Sequence, residues 1–106
     1  MLECKEILLQ ATHNIRQELT RLSTKYRDTT SIGRTHGQHA IPITMGFKFA
    51  NFLYEMTTAE SFLERTTIVG KFSGAVGTFA SLGTREVQTS IMKQLGLVPA
   101  PISTQV

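Results

Sequence analysis

Apolar residues Leu8, Ile15, Leu19, Leu22 and Tyr26 recur at steps of seven, four, three and four, the spacing of one stripe along a helix. The pattern predicts a helix from about Leu2 to Arg27, with Glu3, Lys5, Glu6, Arg16, Glu18 and Arg21 on faces that belong in water. At 1.5 Å per residue it would be roughly 40 Å long, a rod with little in a small globule to lie against. Its length points to a bundle larger than this chain. A second helix is expected from about Ile43 to Val69, with Pro42 near its start, where a missing N–H costs little. Phe47, Phe49, Ala50, Phe52, Leu53, Met56, Ala59, Phe62 and Leu63 spread over more than half of its circumference. Such a helix is either the core of a small bundle or, the favoured reading, one covered by missing chain or by other subunits. A third helix is expected from about Thr84, a good N-cap, to Leu95, with a narrow face of Val87, Ile91 and Leu95 and with Gly96 as its stop. Pro99 and Pro101 then set up an extended end.

Between the first two helices, the segment DTTSIGRTHGQHAIP, residues 28–42, loses all periodicity and reads as irregular backbone. Loops of that length are uncommon in compact domains and are usually disordered or functional. This one is too rich in histidine, arginine and glutamine to be plain linker. Residues 70–83, GKFSGAVGTFASLG, read as a second irregular, glycine-rich stretch.

Composition narrows the classes. The chain has 106 residues, enough for one ordinary domain, with 41% hydrophobic and 18% charged residues. No apolar run approaches the roughly 20 residues that span a bilayer, so no membrane role is expected. Glu3 and Lys5 interrupt the first apolar run, which is unlike a signal peptide, so nothing directs export. The single cysteine, Cys4, rules out an internal disulfide and fits a cytoplasmic location. The formal charge is +3, but the lysines and arginines are scattered and form no basic run. A pocket for an anionic small molecule explains that excess as well as nucleic acid does, and no nucleic-acid partner is expected.

Several motif readings fail. Gly70-Lys71 is followed by Phe72 and has no glycine five residues upstream, so it is not a nucleotide P-loop. Ser73, Thr78 and Ser81, with the free backbone N–H groups of a glycine loop, could still hold a carboxylate or phosphate. His36 and His39 lie three apart, but beyond them only His13 and Cys4 could complete a nitrogen or sulfur ligand set, and both sit on the first helix. No metal site is expected. What remains is Gly33-Arg34-Thr35-His36-Gly37-Gln38-His39-Ala40. It combines a side chain that titrates near neutrality, an arginine for carboxylates, and hydroxyl and amide groups for orientation. Held between two stiff helices, it reads as an active-site loop whose reaction the residues themselves leave open.

GRTHGQHAIPITMGFKFA strongly resembles the Thr-His-Gly-x-x-Ala-x-Pro-x-Thr-x-Gly segment of the adenylosuccinate lyases, in the fumarase/aspartase superfamily. GKFSGAVGTFASL is similar to their second glycine-rich segment, and LGLVPAPISTQV to the stretch that follows it. The resemblance implies an all-α fold: long helices of a central bundle, with irregular active-site loops between them. Residues 1–106 would be one partial domain, a fragment of that bundle. It implies a cytoplasmic homotetramer in which several subunits build each active site, with no cofactor.

The implied reaction is β-elimination of fumarate from adenylosuccinate, leaving AMP, and from the analogous succinyl-carboxamide intermediate of purine synthesis. By the resemblance, His36 matches the histidine that protonates the departing nitrogen. Thr35, Gln38, Lys71 and Ser73 are candidates for substrate contacts, and Gln105 matches a family glutamine that touches substrate. Arg34 and His39 take supporting roles. The family's base is a serine in a Gly-Ser-Ser-x-Met-Pro-x-Lys-x-Asn-Pro loop that nothing here matches, and an N-terminal histidine is missing too; His13 does not match it. This chain alone is therefore expected to lack lyase activity. Sister families, 3-carboxymuconate cycloisomerase, argininosuccinate lyase and fumarase, share the Thr-His loop but mostly carry leucine where this chain has Gly37. The alternative of a different class is a non-catalytic helical assembly module that retains the loop.

Overall fold

A computed structural model of the chain describes residues 1–80 and 83–104. It divides into two compact units, Met1–Arg65 and Thr66–Val106. The first runs α1 (Leu2–Lys25), β1 (Thr30–Thr35), β2 (Gln38–Thr44) and α2 (Met45–Arg65). The second holds β3 (Val69–Gly70), α3 (Arg85–Gln94) and β4 (Val98–Pro99). The expectation of a fold built from long helices holds, and the strands are two small pairs. No helix among the described residues is long and apolar enough to cross a membrane.

In the first unit, α1 and α2 pack as an antiparallel pair. Along α1, Lys5, Leu9, Thr12, Arg16, Leu19, Ser23 and Tyr26 are half-buried, at alternating steps of four and three. Along α2, Gly46, Phe49, Leu53, Met56, Glu60 and Leu63 answer them with steps of three and four. Both lines follow the seam of a coiled coil, in which every third or fourth residue faces the partner. At one end of the seam the Tyr26 and Phe49 rings lie 6.0 Å apart, and towards the other the Lys5 ammonium donates to the Glu64 carbonyl at 2.8 Å.

This seam differs from the expected stripe. Leu19, Leu22 and Tyr26 turn inward, whereas Leu8 and Ile15 stay 54% and 45% exposed. Arg16, assigned above to water, turns into the seam and pairs with the buried Glu60 carboxylate. The His13 imidazole stands 3.9 Å from the same carboxylate. The reason is electrostatic: a carboxylate between two helices needs a cation, and the arginine a turn away from Leu19 is within reach. On α2, Phe47, Phe52 and Phe62 remain exposed.

The largest departure from expectation lies between the helices. Residues 28–42 are not irregular: β1 and β2 form an antiparallel hairpin. Pro42 accordingly sits inside β2, opposite Ile32, and α2 starts at Met45 rather than near Ile43. A proline is tolerated there because a two-stranded sheet has only edges. The second helix also stops at Arg65, short of the expected Val69.

In the second unit, β3 and β4 pair in parallel, through the Val98 N–H to the Ile68 carbonyl at 3.0 Å and the Ala100 N–H to the Gly70 carbonyl at 2.8 Å. Helix α3 begins after Thr84 as expected, but the Thr84 hydroxyl caps no backbone N–H. It bonds the Glu86 carboxylate instead, which holds that carboxyl below its ordinary range. The stop at Gly96 is as expected: with φ +68°, its N–H reaches the Lys93 carbonyl and that of Leu97 reaches Met92, a Schellman ending. The expected apolar face is rotated, however. Gln88 and Met92 are the buried pair on α3, Ile91 is half-buried, and Val87 and Leu95 are exposed. Met92 fills the space beside Gly70, where a Cβ would collide with its sulfur.

The Arg16–Glu60 pair gives a direct test. Breaking a fully buried ion pair costs about 3–5 kcal/mol, and Arg16 keeps 35% of its side chain in water, so Glu60→Ala is expected to cost roughly 2–3 kcal/mol. Removing both charges in Arg16→Met with Glu60→Leu should recover most of that loss in urea denaturation. A double variant as unstable as Glu60→Ala would show that the pair is not what holds the seam there.

Candidate functional site

The hairpin places most of the candidate residues. Its turn has two central residues, His36 and Gly37, with φ of +50° and +72°. Two positive φ values in a two-residue loop are the signature of a type I′ turn, whose twist matches that of the strands it joins. His36 thus occupies a left-handed position that costs a non-glycine residue roughly 1 kcal/mol. That backbone holds it at the tip, at the end of the hairpin opposite its junctions with α1 and α2.

Behind the tip, Thr35 pairs with Gln38 and Arg34 with His39. Directly opposed residues of an antiparallel ladder share a face, and successive pairs alternate. Thr35 and Gln38 therefore flank His36 on one face, while Arg34 and His39 lie together on the other. All six residues from Arg34 to His39 are exposed. Between Ile32 and Arg34 the register shifts: Gly33 faces both Ala40 and Ile41 of β2. A Cβ at Gly33 would come within 2.7 Å of the Ile41 carbonyl oxygen, so the bulge needs a glycine. At the other end the hairpin is tied down by the Met45 N–H to the Thr29 carbonyl and the Gly46 N–H to the Tyr26 carbonyl, both 2.8 Å.

The electrostatics are one-sided. Residues 30–44 contain no aspartate or glutamate, and Arg34 is their one permanent charge. Residues 66–84 likewise contain no acid and one cation, Lys71. Both segments suit an anionic ligand, a signal present in the sequence beyond the motifs themselves.

Lys71 and Ser73 belong to the second unit. The exposed Lys71 ammonium donates to the Ala75 carbonyl at 3.1 Å, across the start of the glycine loop. Ser73 is 4% exposed, and its hydroxyl is buried without a hydrogen-bond partner among the described residues. A buried hydroxyl left unpaired costs about 1–3 kcal/mol, which marks Ser73 as a side chain with bonding capacity in reserve. Two of the loop's N–H groups are taken up within the loop itself. Gly77 N–H donates to the Gly74 carbonyl at 3.2 Å and Phe79 N–H to the Ser73 carbonyl at 2.9 Å. Thr78 is exposed, and Ser81 and Gln105 lie outside the described residues. Among the described residues no three His, Cys, Asp or Glu side chains gather where a metal ion could sit.

One residue of the second unit escaped the sequence reading. Gln88 is 2% exposed and hydrogen-bonds the backbone on both sides of α3. On a helix whose apolar stripe was read as Val87, Ile91 and Leu95, a glutamine one position over carried no signal.

The whole chain, residues 1–106, matches the family model described as Lyase. It is 45% identical over 97 residues to the adenylosuccinate lyase of Pyrococcus abyssi, an alignment covering 87% of this chain and 22% of that enzyme. The chain thus spans less than a quarter of the length of that curated relative. Among solved structures it is similar to a fumarate lyase from Mesorhizobium sp. BNC1, at 38% identity and a TM-score of 0.79 over 93% of this chain and 25% of that one. It is also similar to a 3-carboxy-cis,cis-muconate lactonizing enzyme from Pseudomonas putida, at 28% identity and a TM-score of 0.80, over 94% and 24%.

The two kinds of glycine in these loops predict different costs. Nothing lies within 4 Å of a Cβ added at Gly37, so Gly37→Ala should cost only its positive φ, about 1 kcal/mol. A Cβ at Gly77 would run into the Ser103 carbonyl oxygen, backbone against backbone, so Gly77→Ala is expected to cost roughly 3 kcal/mol. Thermal unfolding of the two variants checks this, and equal losses would contradict the packing of Ser103 on the loop.

Proposed function

Since the chain belongs to the Lyase family of the fumarase/aspartase superfamily, we propose that it is part of a C–N lyase that eliminates fumarate from adenylosuccinate, giving AMP. The analogous succinyl-carboxamide of purine synthesis is the second substrate. The observation that carries this reading is His36 at the tip of an acid-free hairpin, with Thr35 and Gln38 beside it on one face.

The elimination needs three things. A base takes the proton from the carbon beside a carboxylate, and the freed electron pair passes into that carboxylate as an aci-anion. The pair then returns to form the C=C bond of fumarate while the C–N bond breaks, its electrons leaving with the nitrogen. That nitrogen is a poor leaving group until it receives a proton. We assign the proton to His36, since an imidazolium can hand one to the departing nitrogen. The base is assigned to a segment outside these 106 residues. Thr35, Gln38, Lys71, Ser73 and Gln105 are assigned to the substrate, where cationic and neutral donors stabilise charge that develops on its carboxylates. Arg34 and His39, on the opposite face of the hairpin, support the turn and its field.

The exposed Phe47 and Phe52 on α2 support a further part of the reading, that this helix is covered by other subunits; we place that assembly, as a homotetramer, in the cytoplasm. The test is fumarate release by a full-length enzyme carrying this chain, wild type beside His36→Ala, with argininosuccinate as the control substrate. Turnover of adenylosuccinate alone, falling at least about a hundredfold in the variant, is the expected result. Turnover of argininosuccinate instead moves the enzyme to a sister family, and an unimpaired His36→Ala variant removes His36 from the acid role.

A further inference from the structure

Gln88 joins three segments of the second unit through one side chain. Its Oε1 accepts the Phe72 N–H at 2.7 Å, and its Nε2 donates to the Ala100 carbonyl at 3.0 Å. The two backbone partners fix which way the amide points, because an N–H only donates and a carbonyl only accepts. Glutamate has the length but, ionised, lacks the donor; methionine has the length and lacks both groups. Phe72 stands between Lys71 and Ser73. Ala100 stands three residues before Ser103, whose carbonyl presses on Gly77 of the same glycine loop. The Ala100 N–H also donates to the Gly70 carbonyl, so this segment is tied to β3 by backbone and to α3 by Gln88. With Gln88 2% exposed, breaking either bond strands a polar group away from water.

We propose that Gln88 is a positioning residue that sets substrate affinity. It holds the Lys71–Ser73 loop and the Ala100–Thr104 segment in one register, so that both meet the substrate together, while Gln88 itself touches neither substrate nor reacting atoms. This rests on the lyase reading above, in which Lys71, Ser73 and the following Gln105 contact adenylosuccinate.

Gln88→Glu is the isosteric probe. As a carboxylate the new group keeps an acceptor for Phe72 but sets a second oxygen against the Ala100 carbonyl. Protonated, its O–H restores the donor, and burial raises the pH at which that happens. In a full-length enzyme at pH 8, KM for adenylosuccinate is expected to rise about tenfold with kcat within about threefold. KM should return toward the unsubstituted value as the pH falls through the titration of the new carboxyl. Gln88→Met, with nothing to titrate, should raise KM at every pH, and amide exchange at Phe72 should quicken wherever KM is raised.

Unchanged KM in either folded variant, or a Gln88→Glu defect that ignores pH, overturns the proposal. If Gln88→Met does not fold, Gln88→Glu compared across pH still decides. No turnover by the unsubstituted enzyme, seen before any variant is made, overturns the lyase reading and the affinity claim with it. Phe72 exchange then shows separately whether Gln88 ties the loop, and unchanged exchange removes that too.

Discussion

The close approach of backbone at Gly46 governs the first unit. A Cβ there would meet the Arg27 Cα, the Arg27 nitrogen and the Ser23 carbonyl oxygen, so α2 begins pressed against the end of α1. The Gly46 N–H is used in the same contact, donating to the Tyr26 carbonyl. With both helix ends pinned together, the chain between them must leave and return to one place. A hairpin does this with its hydrogen bonds satisfied within itself, and the two-residue turn at its far end is then fixed in position. The placing of His36 follows from that constraint: it sits on a short ladder anchored at its base by Met45 and Gly46 and twisted at its tip by a left-handed backbone.

The second unit reaches a comparable order by other means. Its apolar core is small, with Met92 filling the space beside Gly70. Much of its definition comes from the Gln88 hydrogen bonds to Phe72 and Ala100 and from the close approach of the Ser103 carbonyl to Gly77. In this glycine loop the Gly77 and Phe79 N–H groups are occupied, the Lys71 ammonium donates to the Ala75 carbonyl, and the buried Ser73 hydroxyl has no hydrogen-bond partner among the described residues. In both units chemistry-bearing side chains stand on short segments without carboxylates, braced by helices that supply none of the candidate groups.

The sequence showed the helices and hid the hairpin. Apolar spacing at helical steps located α1, α2 and the shorter α3, and Gly96 marked the end of α3 because a Schellman ending needs its positive φ. The stretch TSIGRTHGQHAIPIT lacks the alternation of a half-buried strand, since both faces near the turn are exposed and polar. It also carries Pro42 and a His-Gly turn in place of the usual Asn-Gly. Which face of each helix turns inward was read poorly for one reason. Polar side chains, Arg16 and Glu60 in the seam and Gln88 under the loop, take inward positions by pairing, and pairing partners are invisible until the chain is folded. The site residues on the hairpin were legible as a cluster from their chemistry. Their division into a Thr35–Gln38 face and an Arg34–His39 face depended on register, which only the ladder supplies.

The proposed lyase chemistry requires that the hairpin present His36 to adenylosuccinate. Its most direct test is histidine footprinting of a full-length enzyme with diethylpyrocarbonate, read residue by residue by mass spectrometry, with and without saturating substrate. Substrate is expected to shield His36 strongly and to leave His13, on α1, modified as before. Equal modification of His36 with and without substrate would contradict it.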